Sequence, residues 1–494
     1  MFFYKKIKQL NLNFNYNISV KCTQTVFFIM QCVQSFPSQN EETSIKIEYM
    51  NFINSGVKIL MKNIKLVPIL LASILIFSCS SKNSLNLAQS KLTTGVSASS
   101  VVVGSTISAK DSERLSEINT AIDFATGTQN TLNNYNVKYY IDGPKAFPEL
   151  QKMIIDAKEC IYIEVFQFEN DYVGRIISDA LIEKVKQGVK VFFMYEYIAN
   201  NNVTLINKMA KNGVIVETYN KQAINSNLTN ATHRKLYIFD GKSAMTGGMN
   251  IGNEYLLGEW HDVLMSFEGD AVKEMMKEYY HDWKKAGGTV ISYMENLYNR
   301  RLETKPAGEK TYPLRIAVTS PSEEDKKEDI KRMMLAAMGS AKINIKIAMP
   351  YFSEDEFVNL MKIAAKRGIR VTALIPYKSD KGSYDKLNTM TSNDLLTAGV
   401  DVYRGDFETK TFNHSKVMTV DNVWTAIGSC NADSLSLTKN QELDVAVSDP
   451  EFTKDFNEDF FAHHLKNAQK AEHVDIAWYQ KPIFSFLESI DDLL

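Results

Sequence analysis

The sequence predicts an α/β protein made of two tandem domains, each a mixed, mostly parallel sheet flanked by helices, related by a pseudo-twofold axis. Three observations carry that prediction. Four landmarks recur in the same order at offsets of 180 to 186 residues. Around them, β-branched and alternating apolar runs are interspersed with longer stretches of helical spacing, the pattern of strands alternating with helices. Finally, 494 residues with 45% hydrophobic and 23% charged side chains suffice for large cores, which excludes a chain disordered throughout.

Residues 1–60 precede the point at which export information begins, and are expected to be an upstream extension arising from a start codon assigned too early. From Met61 the chain reads MKNIKLVPILLASILIFSCSSKNS. Two lysines followed by an uncharged, mostly apolar run over residues 66–77 read as a signal peptide spanning 61–78. The run is shorter than the roughly 20 residues needed to cross a bilayer. Ile76-Phe77-Ser78-Cys79 resembles a bacterial lipobox, which would make Cys79 the lipidated first residue of an exported, membrane-anchored lipoprotein of the cell envelope. An ordinary signal sequence or a buried apolar segment are the other readings. Residues 79–130 are then the lipidated cysteine and a Ser/Thr-rich linker, with the folded part beginning near Val137.

The first domain is expected over residues 131–300 and the second over 310–494. AKECIYIEVFQF at 157–168 aligns with AKINIKIAMPYF at 341–352, and both alternate as strands do. QGVKVFF around Gly188 matches RGIRVTA around Gly368, where a helix stops at a glycine and a β-branched strand follows. NGVIVETY at Gly213 matches AGVDVYRG at Gly399, and THRKLYIFD from Thr232 matches NHSKVMTVD from Asn413. A duplicated unit packed about a twofold axis brings equivalent surfaces face to face.

The last landmark holds two of the seven histidines. His233-Arg234-Lys235 precedes Asp240 and Gly247-Gly248-Met249-Asn250; His414-Ser415-Lys416 precedes Asp421 and Gly428-Ser429-Cys430-Asn431 at identical spacing. Each His shares a strand face with its Lys, and the glycine lets the returning backbone bring Asn250 or Asn431 beside that face. Two lysines, two histidines and two amides make a donor-rich hole suited to a phosphodiester. No metal or other cofactor is expected, because these cations oppose a further one and no carboxylate or thiol cluster accompanies them. One neutral imidazole can attack phosphorus while its protonated partner serves the leaving oxygen.

HxKxxxxD followed by GGxN or GSxN, present twice, resembles the phospholipase D superfamily. IDGPKAFPEL, HRKLYIFDGKSAMTGGMNIGNEYL, EWHD at 259–262, AMPYF and HSKVMTVDNVWTAIGSCNADSLSL are most similar to its bacterial cardiolipin synthase branch, over roughly residues 130–494. The resemblance implies that His233 is the nucleophile and His414 the acid, though the assignment between the two stays open. It makes Lys235, Lys416, Asn250 and Asn431, with Ser429, phosphate ligands. Asp262 and Glu442 become carboxylates that hold imidazole tautomers, and Asp240 and Asp421 supports of the fold through nearby backbone. His261 stands where the branch has arginine, the Pro-Arg-Ser usual after the Asp433 position is replaced by Ser434-Leu435-Ser436, and the membrane helices with which the branch begins give way to the short export segment.

Other features have plainer readings. Cys22, Cys32, Cys79, Cys160 and Cys430 lack zinc spacing and are too few for a disulfide framework; Cys160 and Cys430 read as core. His463 and His464 read as solvent-facing on a terminal helix, His261 as a rim contact or a neighbour of the carboxylate, MPYF as groove lining or a buried strand end, and the Met-rich KRMMLAAMG and EMMKEYY as core. With 56 basic against 58 acidic side chains, a net charge of −2 argues against a nucleic-acid coater. The functional expectation is phospholipase D-type cleavage or phosphatidyl transfer on phospholipids, phosphatidylglycerol among them. The alternatives are a secreted phosphodiesterase or nuclease and a non-catalytic lipid-binding lipoprotein.

Overall fold

The two repeats deliver closely similar successions of strands and helices, and the principal strands of both join into one sheet. The structure, a computed structural model, describes residues 108–221, 230–300, 305–321, 326–405 and 411–476. The export segment and Cys79 lie outside the described residues.

The first half runs through α1 (Ala109–Thr126), β1 (Thr131–Ile141), α2 (Gly143–Asp156), β2 (Cys160–Val165), α3 (Tyr172–Lys186), β3 (Lys190–Glu196), α4 (Thr204–Lys211), β4 (Ile215–Tyr219), β5 (Leu236–Phe239), β6 (Ser243–Gly247), α5 (Asn253–Leu257), β7 (Trp260–His261), β8 (Val263–Gly269), α6 (Asp270–Lys285) and α7 (Ser292–Asn299). The second half continues with β9 (Tyr312–Ser320), β10 (Lys327–Glu328), α8 (Asp329–Ser340), β11 (Asn344–Ala348), α9 (Asp355–Lys366), β12 (Arg370–Pro376), α10 (Gly382–Thr397), β13 (Asp401–Gly405), β14 (Phe412–Asn413), β15 (Val417–Val420) and β16 (Trp424–Gly428). It closes with α11 (Ser434–Thr438), β17 (Glu442–Val447), α12 (Pro450–Phe456), a π-helical turn (Asn457–Ala462), α13 (His463–Asn467) and β18 (Gln469–Lys470).

Strand order across the sheet is β4-β3-β2-β5-β6-β8-β1-β9-β17-β16-β15-β11-β12-β13-β18, with β10 beside β9. Outward from the central β1–β9 pair, the second half repeats the order of the first. The sheet is mixed, but parallel pairing is confined to β2-β3-β4 and β11-β12-β13, so the expected parallel majority does not hold. Helical crossovers generate only those pairs, whereas β5–β6 and β15–β16 are hairpins. Both hairpin turns place two successive residues at positive φ, Asp240 and Gly241 in one and Asp421 and Asn422 in the other, as a type I′ turn demands.

Three large cores cover the sheet among the described residues, beside a small cluster of Tyr351, Tyr384, Leu387 and Phe412. One packs α2, α3 and α4 on the first half through residues such as Phe147, Ile177 and Met209, and one packs α1, α8 and α9 on the second. A third is shared, with Phe192, Met275 and Trp283 from the first half meeting Leu443, Phe456 and Phe460 from the second. The Met-rich runs supply Met275, Met276, Met333, Met334 and Met338 to these cores.

Two expectations are corrected. Ordered structure begins well before Val137, inside the stretch read as linker: Ser108 caps α1 by accepting the Asp111 N–H at 3.1 Å. Leu115, Ile118 and Ile122, spaced as one helical face, are buried against the α8 core. The polar residues around that stripe disguised it. The second correction is His464, which is buried, with its ring centroid 4.6 Å from that of Phe460 and 4.9 Å from that of His261. The π-helical turn widens the spiral just before it, so the residue that α-helical phase would expose turns inward.

Candidate active site

Two backbone ladders between the halves set the geometry. The His233 N–H donates to the Gln441 carbonyl at 2.9 Å, and the Gln441 N–H donates to the Ala231 carbonyl at 2.8 Å. In the mirror arrangement β14 pairs in parallel with β7, and the His414 N–H donates to the His261 carbonyl at 2.8 Å. Each histidine is thereby fastened to the residue that precedes a carboxylate of the opposite half. His233 Nδ1 lies 2.9 Å from Glu442 Oε1, and His414 Nδ1 lies 2.8 Å from Asp262 Oδ2. With Nδ1 facing a carboxylate, the proton sits there and the Nε2 lone pair is left for chemistry.

The carboxylates are themselves held. Ser429 donates its hydroxyl to Glu442 Oε2 at 2.5 Å and accepts the Leu443 N–H at 3.1 Å. Its hydroxyl is fully buried and committed to these two partners, so the side chain positions Glu442. The equivalent residue in the first half is Gly248, and a Cβ there would collide with Asp262 Oδ1. The shorter aspartate therefore sits directly on a glycine, whereas the longer glutamate is tied by a hydroxyl. Asp262 also accepts the Val263 N–H at 2.8 Å.

Lys235 Nζ donates to the His233 carbonyl at 2.6 Å and lies 5.3 Å from the Phe166 ring centroid. Lys416 Nζ bonds the His414 carbonyl and lies 2.8 Å from His414 Nδ1. Asn250 reaches the Tyr255 hydroxyl at 3.4 Å and Asn431 the Ser436 hydroxyl at 3.3 Å, and in both amides the buried Oδ1 has no hydrogen-bond partner among the described residues. Asp240 accepts the N–H groups of Lys158, Glu159 and Cys160. Asp421 accepts those of Lys342, Ile343 and Asn344, and also binds the Arg114 guanidinium from α1 at 2.6 Å. Both motif aspartates thus pin the start of the adjoining strand, away from the imidazoles.

Burial governs the electrostatics. His233 and His414 are held well below the ordinary histidine value, first by desolvation and then by the neighbouring lysines. Desolvation lowers Lys235 to about 7 and Lys416 to about 8, and raises Asp262 to about 7 and Glu442 to about 8. Near neutrality, then, these groups exchange protons on small provocation. Cys430, also in the motif, is buried and its thiol is pushed up by desolvation, which keeps it protonated and inert.

The aromatic surroundings differ between the two histidines. Phe166 meets His233 edge-on at 4.7 Å, whereas His414 is ringed by Trp260 at 5.0 Å, Phe412 at 5.5 Å, Tyr255 at 6.1 Å and Tyr351 at 6.4 Å. Of MPYF, Tyr351 borders the site and Phe352 is core. The His261 side chain reaches Asp142, Nδ1 to Oδ2 at 2.9 Å. Sequence reasoning passed over Tyr255, whose hydroxyl lies 3.3 Å from His414 Nδ1, and Ser436. Both stand five positions after a motif asparagine, a regularity that could have marked them.

A family model described as "Cardiolipin synthase, PLD-like domain" matches residues 150–283 and 334–484, and each matched segment carries one complete His-Lys-Asn set. The chain belongs to this phospholipase D-like family. Cardiolipin synthase 1 of Staphylococcus aureus is 31% identical over 373 residues, which cover 73% of each chain. Probable cardiolipin synthase YwiE of Bacillus subtilis is 29% identical over 360 residues, 70% of this chain and 69% of that one. Among solved structures, phosphatidylserine synthase of Haemophilus influenzae superposes with a TM-score of 0.57 at 13% identity, covering 77% of this chain and 97% of its own. At that identity it speaks for the phospholipase D-like fold alone.

Proposed function

We propose that the protein is a phospholipase D-type phosphatidyltransferase of the cardiolipin synthase kind, acting on phospholipids through a phosphohistidine intermediate. The observation that carries this reading is the crossed pair of buried imidazoles, each held by a carboxylate from the other half, with lysines and amides around them. The two relatives described above are named as cardiolipin synthases, one of them as probable.

In the first step Nε2 of neutral His233 attacks phosphorus. The P–N bond forms as the P–O bond to the headgroup breaks, and protonated His414 gives its proton to the departing oxygen. In the second step His414 takes a proton from the acceptor hydroxyl, whose oxygen attacks phosphorus and expels His233. Water in place of the alcohol gives hydrolysis. Burial and the lysines favour neutral imidazoles without substrate, and the negative phosphodiester offsets the lysines, allowing one ring to hold the proton. Lys235, Lys416 and the two amides neutralise charge building on the non-bridging oxygens.

The test is turnover of labelled phosphatidylglycerol, with DNA assayed separately and EDTA present in a parallel reaction. Cardiolipin with released glycerol supports transfer, and phosphatidic acid alone supports hydrolysis. Nicked DNA without lipid turnover overturns the phospholipid reading, and inhibition by EDTA reversed by a divalent ion overturns the metal-free step. We propose too that Cys79 is acylated and fixes the enzyme to a membrane of the cell envelope. Fatty-acid labelling that survives Cys79→Ala would refute this.

A further inference from the structure

The loop between β12 and α10, residues 377–381, brings charge to the edge of the site. Tyr351, one of the rings around His414, donates its hydroxyl to Asp380 and stands 4.2 Å from the ring of Tyr384. The ammonium of Lys381 lies over both rings, 5.3 Å from the centroid of Tyr351 and 5.5 Å from that of Tyr384. A cation held over two aromatic faces is positioned without being neutralised. Lys381 is exposed. Asp380, the nearest acid in sequence, is engaged by Tyr351. The charge of Lys381 is nevertheless felt at both imidazoles, where it disfavours protonation.

The other cations of the site are already assigned. Lys235 and Lys416 are buried and tied to the carbonyls of their own histidines, where they attend the reacting phosphate. Lys381 sits farther out and on one side only. The corresponding loop of the first half, residues 197–203, reads YIANNNV and has no basic residue, whereas residues 377–381 read YKSDK. A site that treated its two substrates alike would need no such asymmetry.

We infer that Lys381 binds a second phosphate, that of the lipid whose headgroup hydroxyl accepts the transferred group, and so selects an anionic phospholipid with a free headgroup alcohol as acceptor. The inference rests on the phospholipid reading above and names which lipid the His414 side receives. Phosphatidylglycerol has the required chemistry: one phosphate for Lys381 and a primary hydroxyl to present to His414. Water and simple alcohols carry no phosphate and gain nothing from this lysine.

The experiment compares Lys381→Met, Lys381→Arg and Lys378→Met in the full chain, on phosphatidylglycerol vesicles and on bis(4-nitrophenyl) phosphate, a soluble diester lacking a second phosphate. Lys381→Met should raise KM for phosphatidylglycerol about tenfold and lower the ratio of kcat/KM on lipid to that on soluble diester by a similar factor. Arginine should restore the ratio to within about threefold. Lys378→Met, which removes a charge from the same loop, should leave the ratio unmoved. An unchanged ratio in Lys381→Met, or an equal fall in Lys378→Met, overturns the assignment while leaving the phospholipid reading intact. Cleavage of the soluble diester with no turnover of phosphatidylglycerol by the native chain overturns both.

Discussion

Glu442 holds His233 across a sequence separation of 209 residues, its Oε1 lying 2.9 Å from the ring Nδ1 while its Oε2 accepts the Ser429 hydroxyl. The glutamate faces Nδ1 and leaves Nε2 of His233 free, as the proposed attack requires. Glu442→Gln preserves shape but replaces the titratable carboxyl that orients the ring with an amide that cannot exchange its proton, so kcat should fall by roughly 10²–10⁴ with little change in KM, by analogy with carboxylate-to-amide changes in His-carboxylate pairs. Asp262→Asn should do the same to His414. In a double-mutant cycle with His233→Ala, the Glu442→Gln effect should disappear, since the two act as one unit.

His233→Ala and His414→Ala should each lower turnover by at least about 10³-fold. They differ in what they trap. Quenching into alkaline detergent, which preserves a phosphorus–imidazole bond, should find labelled lipid covalently bound in His414→Ala and none in His233→Ala. Label retained only in the second variant would reverse the roles, and label in neither would remove the covalent intermediate.

The pH dependence follows from the lysines. Lys235 at about 7 and Lys416 at about 8 lie below the ordinary lysine value because of burial, so their charge is present below these values and lost as pH rises through them. KM for a phosphodiester should therefore climb several-fold between about pH 7 and 9, far earlier than an ordinary lysine near 10.4 would allow. The histidines work in the opposite sense: lowered values favour the neutral ring that the proposed attack needs. Steady-state kcat and KM measured from about pH 5 to pH 9 check both limbs, and a flat KM up to pH 9 would contradict the lysine assignment.

The motifs were legible because displacement at phosphorus demands particular side chains at particular spacings, and His233, Lys235, Asn250 and their counterparts keep those spacings twice. The fold class was legible from the repeat. What the sequence did not show is which carboxylate serves which histidine, because that depends on tertiary ladders such as Gln441 with Ala231. Parallel pairing was overestimated because short antiparallel hairpins and parallel strands share an apolar pattern. Helix α1 and the inward turn of His464 were missed for local reasons, a polar disguise and a π-helical phase shift.

Gly248 offers a test of steric fit. A Cβ at this position meets Asp262 Oδ1 and Oδ2, so Gly248→Ala should push the carboxylate off His414 and reduce kcat by about 10²-fold, in keeping with the cost of small displacements in a positioned site. The overpacking should cost about 1–3 kcal/mol of stability, read from denaturant unfolding. Full activity would show that the aspartate tolerates relocation.

Arg114 tests the attachment of α1. It is buried and binds Asp421, which is 2% exposed. Arg114→Met should destabilise the chain by about 2–3 kcal/mol, at or below the low end for breaking a buried ion pair, because three backbone N–H groups still satisfy the aspartate. A urea midpoint unchanged from that of the native chain would show that α1 contributes no such clamp.

The crossed ladders have a consequence for the repeat as a unit. Cut free, either half would carry a histidine without its carboxylate and a carboxylate without its histidine, and so would be half a catalyst. Two separate copies could complete the arrangement only by docking, at concentrations above their dissociation constant. Joining them in one chain replaces that bimolecular encounter with a fixed effective concentration. Activity then becomes independent of dilution, and each half is free to specialise without having to recognise a copy of itself.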